Sequence, residues 1–122
     1  MDSTTRTILI VAAVGIVAKL VLGGRVDRKE DLKALVGKGA VVIDVRTPGE
    51  FAGAHIKGSI NIPVSSITTG IQKQVKDKSK TIIVYCHSGA RSGSAKKALL
   101  KAGYTNVVNA GSLHRIRMIL GQ

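Results

Sequence analysis

Residues Lys80 to Leu100 read KTIIVYCHSGARSGSAKKALL, and the fold turns on this stretch. Ile82, Ile83, Val84 and Tyr85 form a short β-branched and aromatic run of the kind that makes a buried strand. A glycine-bearing turn follows Cys86. Ser92, Ser94, Ala95, Ala98, Leu99 and Ala102 then supply the start and the apolar stripe of a helix, which Gly103 stops. Strand, loop and helix make half of a βα unit. In such a unit the N–H groups of the loop and of the helix's first turn converge on one point, where the helix dipole also favours negative charge. The stretch therefore predicts an anion-holding nest with Cys86 at its rim.

Cys86 is the chain's one cysteine, and this placement predicts a thiol at the mouth of a loop rather than in a core. The nest's dipoles and Arg91, five positions on, stabilise a thiolate, so a lowered pKa and nucleophilicity at neutral pH are expected. Gly89 lets the loop bend through backbone angles denied to other residues, and Ser88 and Ser92 bring hydroxyl donors. His87 either steadies the thiolate, shapes the entrance or faces solvent. A lone cysteine of unknown surroundings is more often a small buried apolar residue. The turn chemistry reverses that expectation.

Two families place a cysteine and an arginine in such a cradle, the Cys-x5-Arg phosphatases and the rhodanese-type sulfurtransferases, whose loop is one residue shorter. Cys86 to Arg91 is Cys-x4-Arg and resembles the rhodanese version. A tetrahedral phosphate or arsenate asks for a wider ring of donors than a single sulfur atom carried on the cysteine. A second segment, residues 41–63, reads VVIDVRTPGEFAGAHIKGSINIP and resembles the rhodanese signature upstream of the active loop. Asp44 and Arg46 end a strand, Glu50, Phe51, His55 and Ile56 follow, and Ser59, Ile60, Asn61, Ile62 and Pro63 open the next element. Both segments occur in the family's order.

The resemblance covers about residues 25 to 120. It implies a rhodanese-like three-layer α/β fold with a mostly parallel central sheet flanked by helices. It also implies a sulfurtransferase in which Cys86 takes a sulfane sulfur from thiosulfate or a similar donor. The resulting persulfide lies among the N–H groups of residues 87 to 91 and passes its sulfur to cyanide or a thiol, a protein thiol included. Cys86 and Arg91 are then the catalytic pair, with Arg91 orienting the anionic donor, and His87, Ser88, Gly89, Ala90 and Ser92 are the substrate-binding residues. Two other readings stay open: a membrane-tethered sulfur-carrier or docking module without turnover, and a Cys-dependent phosphatase or arsenate reductase.

Read without the family, Val41 to Val45 is an apolar run interrupted only by Asp44, an odd place for a carboxylate that is not paired or hydrogen-bonded. Ligands collect at the carboxyl ends of parallel strands, which would set Asp44 and Arg46 on the same sheet edge as Cys86. The more economical expectation is that Asp44 satisfies backbone donors of a neighbouring loop and Arg46 pairs with Glu50. Both are therefore placed behind the site rather than on the substrate. His55 is expected to make a structural hydrogen bond in its turn. With three histidines, one cysteine and no close ligand spacing, neither a metal nor another cofactor is expected.

Along the rest of the chain, Asp27 and Glu30 predict a capping-box start to a helix with Leu32, Leu35 and Val36 on its apolar face, ended by Gly37 and Gly39. Ser65 or Ser66 caps a second helix bearing Ile67, Ile71 and Val75. Thr105 to Asn109 reads as a short strand, and Leu113 to Leu120 as a closing helix. Alternating strands and helices imply right-handed crossovers in a parallel sheet. The family often has a Gly-Gly pair and a Trp near the end. Here Ala110-Gly111 stands without an aromatic, which puts the closing helix's packing in question.

Two domains are expected, an N-terminal hydrophobic segment over residues 1–24 and a rhodanese-like domain over residues 25–122. The run from Ile8 to Leu22 is apolar except for Gly15 and Lys19. As a helix it falls somewhat short of the ~30 Å hydrocarbon core. A retained single-pass anchor through residues 8–22 is favoured, because no convincing small-x-small cleavage site follows Leu22. A cleaved export signal comes next and a soluble packed helix last. Lys19, Arg25, Arg28, Lys29 and Lys33 lie within or after the run, so the positive-inside tendency puts the catalytic domain in the cytoplasm, with export to the periplasm as the alternative.

Of the 19 Lys and Arg and 7 Asp and Glu, residues 25–122 hold 17 and 6, so +11 of the net +12 belongs to the globular part. Such a surface attracts anions: thiosulfate, an acidic partner or the anionic face of a membrane. No nucleic-acid motif is present and aromatics are limited to Phe51, Tyr85 and Tyr104, so nucleic acid is not expected as a partner.

Overall fold

The computed structural model describes residues 26–27 and 30–122. The expected N-terminal hydrophobic helix and the membrane placement drawn from residues 8–22 lie outside the described residues. Among the described residues no helix is long and apolar enough to cross a membrane.

The chain runs α1 (Leu32–Gly37), β1 (Val41–Asp44), α2 (Pro48–Gly53), β2 (Ile60–Asn61), a 3-10 turn (Val64–Ser66), α3 (Ile67–Gln74), β3 (Ile82–Cys86), α4 (Ala90–Lys101), β4 (Val107–Ser112) and α5 (Leu113–Leu120). The four strands form one sheet in the order β2-β1-β3-β4, and every neighbouring pair is parallel. Their carboxyl ends therefore share one edge.

Alternation along β3 feeds two cores. Ile82, Val84 and Cys86 join Ile43, Ile67, Ile71, Ala95 and Leu99 on the α3 and α4 face. Ile83 and Tyr85 join Leu32, Val42, Val108 and Ile116 on the α1 and α5 face. Helices thus cover both sides of a buried parallel sheet, which is why its strands are apolar runs rather than alternating ones. Each fully buried aliphatic side chain contributes roughly 1.5–3 kcal/mol.

Helix α1 starts later than its expected capping box. Asp31 is the cap, its side chain accepting from Ala34 N at 3.1 Å. Asp27 is taken by a tertiary contact instead: its N–H donates to Asn109 O at 2.9 Å, and its carboxylate binds Asn109 N and Lys96. The closing helix packs without an aromatic of its own. Ser112 caps it by accepting from Arg115 N at 3.0 Å, and Ile116 is fully buried.

Between β3 and β4 the register slips, so that Val84 faces Asn109 whereas Cys86 faces Ser112. Gly111 lies in this irregularity with φ +84°. Asn109, the last residue in register before the bulge, reaches the loop that follows Cys86 through Gly89 O.

Candidate active site

Cys86 is the last residue of β3, and its side chain is fully buried beside Ala95 and Leu99. The expected exposure at a loop mouth is not what the fold gives. The strand runs through position 86, and the loop doubles back over the sulfur. Gly89, at φ +98°, is the residue that makes this return. Its N–H donates to Cys86 Sγ at 2.9 Å, and Ser92 Oγ lies 3.4 Å from the same atom.

Burial pushes the Cys86 thiol up, but the Ser92 hydroxyl and the N–H groups of Ser92, Gly89 and Ser88 pull it down further. The balance falls below the ordinary thiol value. Of the converging amides expected from the loop sequence, Gly89 N–H makes the hydrogen bond to a sulfur that is covered. Ser92 and Gly89 are buried with it, whereas His87, Ser88 and Ala90 have exposed side chains at the rim.

Arg91 sits in the first turn of α4 and points to α2. Its Nη1 and Nη2 donate to Glu50 Oε1 at 2.7 Å and Oε2 at 3.0 Å, the bidentate geometry that suits a guanidinium and a carboxylate. Glu50 is also the far half of the α2 capping box, accepting from Thr47 N at 3.2 Å while Glu50 N donates to Thr47 Oγ1 at 3.2 Å. Arg91, and then Thr47, hold the Glu50 carboxyl down at about 2. The expected pairing of Glu50 with Arg46 is therefore wrong.

Arg46 pairs with Asp44 instead. Nε lies 3.1 Å from each carboxylate oxygen and Nη2 lies 2.7 Å from Oδ2, both residues being buried. Asp44 also accepts from Arg46 N at 2.9 Å, and Arg46 Nη2 donates to Ala54 O at 2.6 Å. Asp44 is opposite Tyr85 in the sheet register, and the Arg46 guanidinium lies 5.9 Å from the Tyr85 ring centre. The pair therefore shares the sheet edge with Cys86 but occupies the opposite face, where it fixes the segment after α2. His55 makes its turn contact, Nδ1 lying 2.8 Å from Phe51 O with the two rings stacked.

Sequence reasoning missed Asn109. This fully buried amide accepts at Oδ1 from Ser92 Oγ at 2.7 Å and Gly111 N at 3.0 Å, and its Nδ2 donates to Gly89 O at 3.3 Å. The signal was an amide inside the apolar run VVNA, which has to be satisfied from outside the strand. Lys96, whose ammonium is buried on Asp27 Oδ2 at 2.7 Å, gave no such sign.

A buried thiol of lowered pKa, ringed by amide and hydroxyl donors, can act as a nucleophile and can hold a small anionic adduct. Residues 28–114 match the model of the rhodanese-like domain family. A thiosulfate sulfurtransferase of Escherichia coli is 46% identical over 76 residues, which cover 62% of this chain and 73% of the relative. A thiosulfate:glutathione sulfurtransferase of Saccharomyces cerevisiae is 38% identical over 91 residues, covering 63% of this chain and 66% of the relative. Among solved structures, an E. coli rhodanese with anions superposes with a TM-score of 0.62 at 43% identity, over 63% of this chain and 91% of that one. A human single-domain sulfurtransferase gives 0.63 at 26% identity, over 72% and 90%. With the parallel sheet and the cysteine loop already in place, this breadth of agreement means that the chain belongs to the rhodanese-like domain family and is a rhodanese-like sulfurtransferase.

Proposed function

We propose that the chain carries a sulfane sulfur from thiosulfate or a similar donor to cyanide or a thiol through a persulfide on Cys86. The thiolate attacks the donor's outer sulfur, the donor S–S bond breaks, and sulfite leaves with the electron pair. The acceptor's lone pair then attacks the outer sulfur of the persulfide, and Cys86 leaves as the thiolate. Each step needs negative charge held on or next to Sγ, and the N–H groups of Gly89, Ser88 and Ser92 are positioned to hold it. The observation that carries the reading is the 2.9 Å hydrogen bond from Gly89 N–H to Sγ inside a Cys-x4-Arg loop.

Arg91 supports donor binding from the rim, exchanging part of its contact with Glu50 for the incoming anion. His87 and Ala90 line the approach. The apolar run over residues 8–22 and the basic domain support attachment at a membrane surface, which fractionation of the full chain would read.

Cys86→Ser is expected to reduce thiosulfate-to-cyanide sulfur transfer to background. Turnover that persists in this variant overturns the mechanism. Single-turnover release of sulfite without multiple turnover would instead favour a sulfur carrier, and Cys86-dependent hydrolysis of a chromogenic phosphate ester would favour a phosphatase.

A further inference from the structure

We infer that Val26 and Asp27, which precede the family-matched region at residues 28–114, are positioning residues that hold the Cys86 loop in its sulfur-binding form. The inference rests on Cys86 as the reactive group. Two independent contacts carry it, one of packing and one of polar bonding.

The packing contact is with the loop's own glycine. A Cβ placed on Gly89 would lie 3.1 Å from Val26 Cγ2 and 3.4 Å from Gly111 Cα. One placed on Gly111 would lie 3.2 and 3.3 Å from the two Val26 methyl groups. Val26 therefore sits as a plug against two positive-φ glycines, one of which donates the N–H that reaches Sγ. Removing the Val26 methyls takes packed atoms away from beside both glycines, and the loop loses those dispersion contacts.

The polar contact runs through β4. Asp27 makes two bonds with the Asn109 backbone, N–H to O at 2.9 Å and Oδ2 from N–H at 2.7 Å, which tie it to β4, the edge strand of the sheet. The same carboxylate neutralises the buried Lys96 ammonium of α4 at 2.7 Å. The Asn109 side chain then grips Gly89 O and Ser92 Oγ, the two ends of the turn around the sulfur. Position 27 is thus tied to the strand and the helix that flank the loop, and position 26 to the loop itself.

The test is the pH profile of Cys86 alkylation in the full chain with Val26→Ala, which removes the two methyls that face Gly89 and Gly111 without changing any charge. Arg91, Glu50, Asp44 and Lys96 remain, so a change in the midpoint reads loop geometry. The expected result is an upward shift of about half a unit, seen as about threefold slower alkylation in the acidic limb. Val26→Ile, which keeps the methyl contact, is expected to return the wild-type midpoint, and Val26→Gly to exceed the Ala shift. A lowered melting temperature with an unmoved midpoint overturns the inference while Cys86→Ser still abolishes transfer. Transfer that survives Cys86→Ser overturns the reading beneath it instead.

Discussion

At the scale of single residues, the Ser92 hydroxyl has one proton and three acceptors in reach: Asn109 Oδ1 at 2.7 Å, Gly89 O at 3.1 Å and Cys86 Sγ at 3.4 Å. The short contact to Asn109 is its best bond while Cys86 is protonated. Ionisation makes Sγ the stronger acceptor, and a rotation about the serine side chain delivers the proton to it. Ser92→Ala removes this donor and leaves the amides, so the thiol pKa is expected to rise. Alkylation at pH 6 should slow about tenfold, the equivalent of one pKa unit. The sign carries over to stability. A thiol whose folded pKa is depressed adds stability that is present above the ordinary thiol pKa and is lost as pH falls through the folded value. Denaturation followed as pH falls from above the ordinary thiol pKa should show that loss in the wild type and a smaller one in Ser92→Ala. An unchanged profile in the variant would show that Ser92 does not act on the sulfur.

Between elements, the Arg91–Glu50 bridge joins the first turn of α4 to α2, a surface helix with no buried residue of its own. Glu50 is a group depressed to about 2, so the bridge's contribution is present above about 4.5 and is lost as pH falls through about 2. Glu50→Gln should therefore lower stability at neutral pH, and its difference from wild type should shrink toward zero as pH falls through that window. Guanidinium denaturation at pH 7, 4 and 2 checks the sign. The elements themselves were largely legible. β-branched runs announced β1 and β3, and the closing helix spans Leu113–Leu120, as expected from the sequence. What the sequence could not show was decided by long-range competition. Asp27 was a good helix cap until Lys96 and Asn109 claimed it, and Glu50 lay near Arg46 in sequence but met Arg91 in space. The burial of Cys86 was hidden for the same reason, because it depends on β3 running through position 86 and on a loop held down from β4.

For the whole molecule, residues 25–122 hold +11 of the net +12 charge, while the Arg91 cation of the site is already paired with Glu50. Under the proposed function, the field of the domain, more than any single guanidinium, is what draws an anionic donor. Raising ionic strength from about 0.05 to 0.5 M should raise the thiosulfate KM severalfold and leave kcat nearly unchanged, because screening weakens encounter rather than the chemistry on a buried sulfur. Steady-state kinetics across that range with a neutral salt would check this, and a flat KM would assign donor capture to local contacts alone. In the proposed mechanism, sheet, bulge and loop together serve one end, a covered sulfur that bears a second sulfur. That end is read most directly by intact mass and peptide mapping of the full chain after thiosulfate treatment under non-reducing conditions. The account predicts a gain of one sulfur atom, located on Cys86, discharged by cyanide and absent from Cys86→Ser. An unmodified Cys86 in protein that still turns over thiosulfate would contradict it.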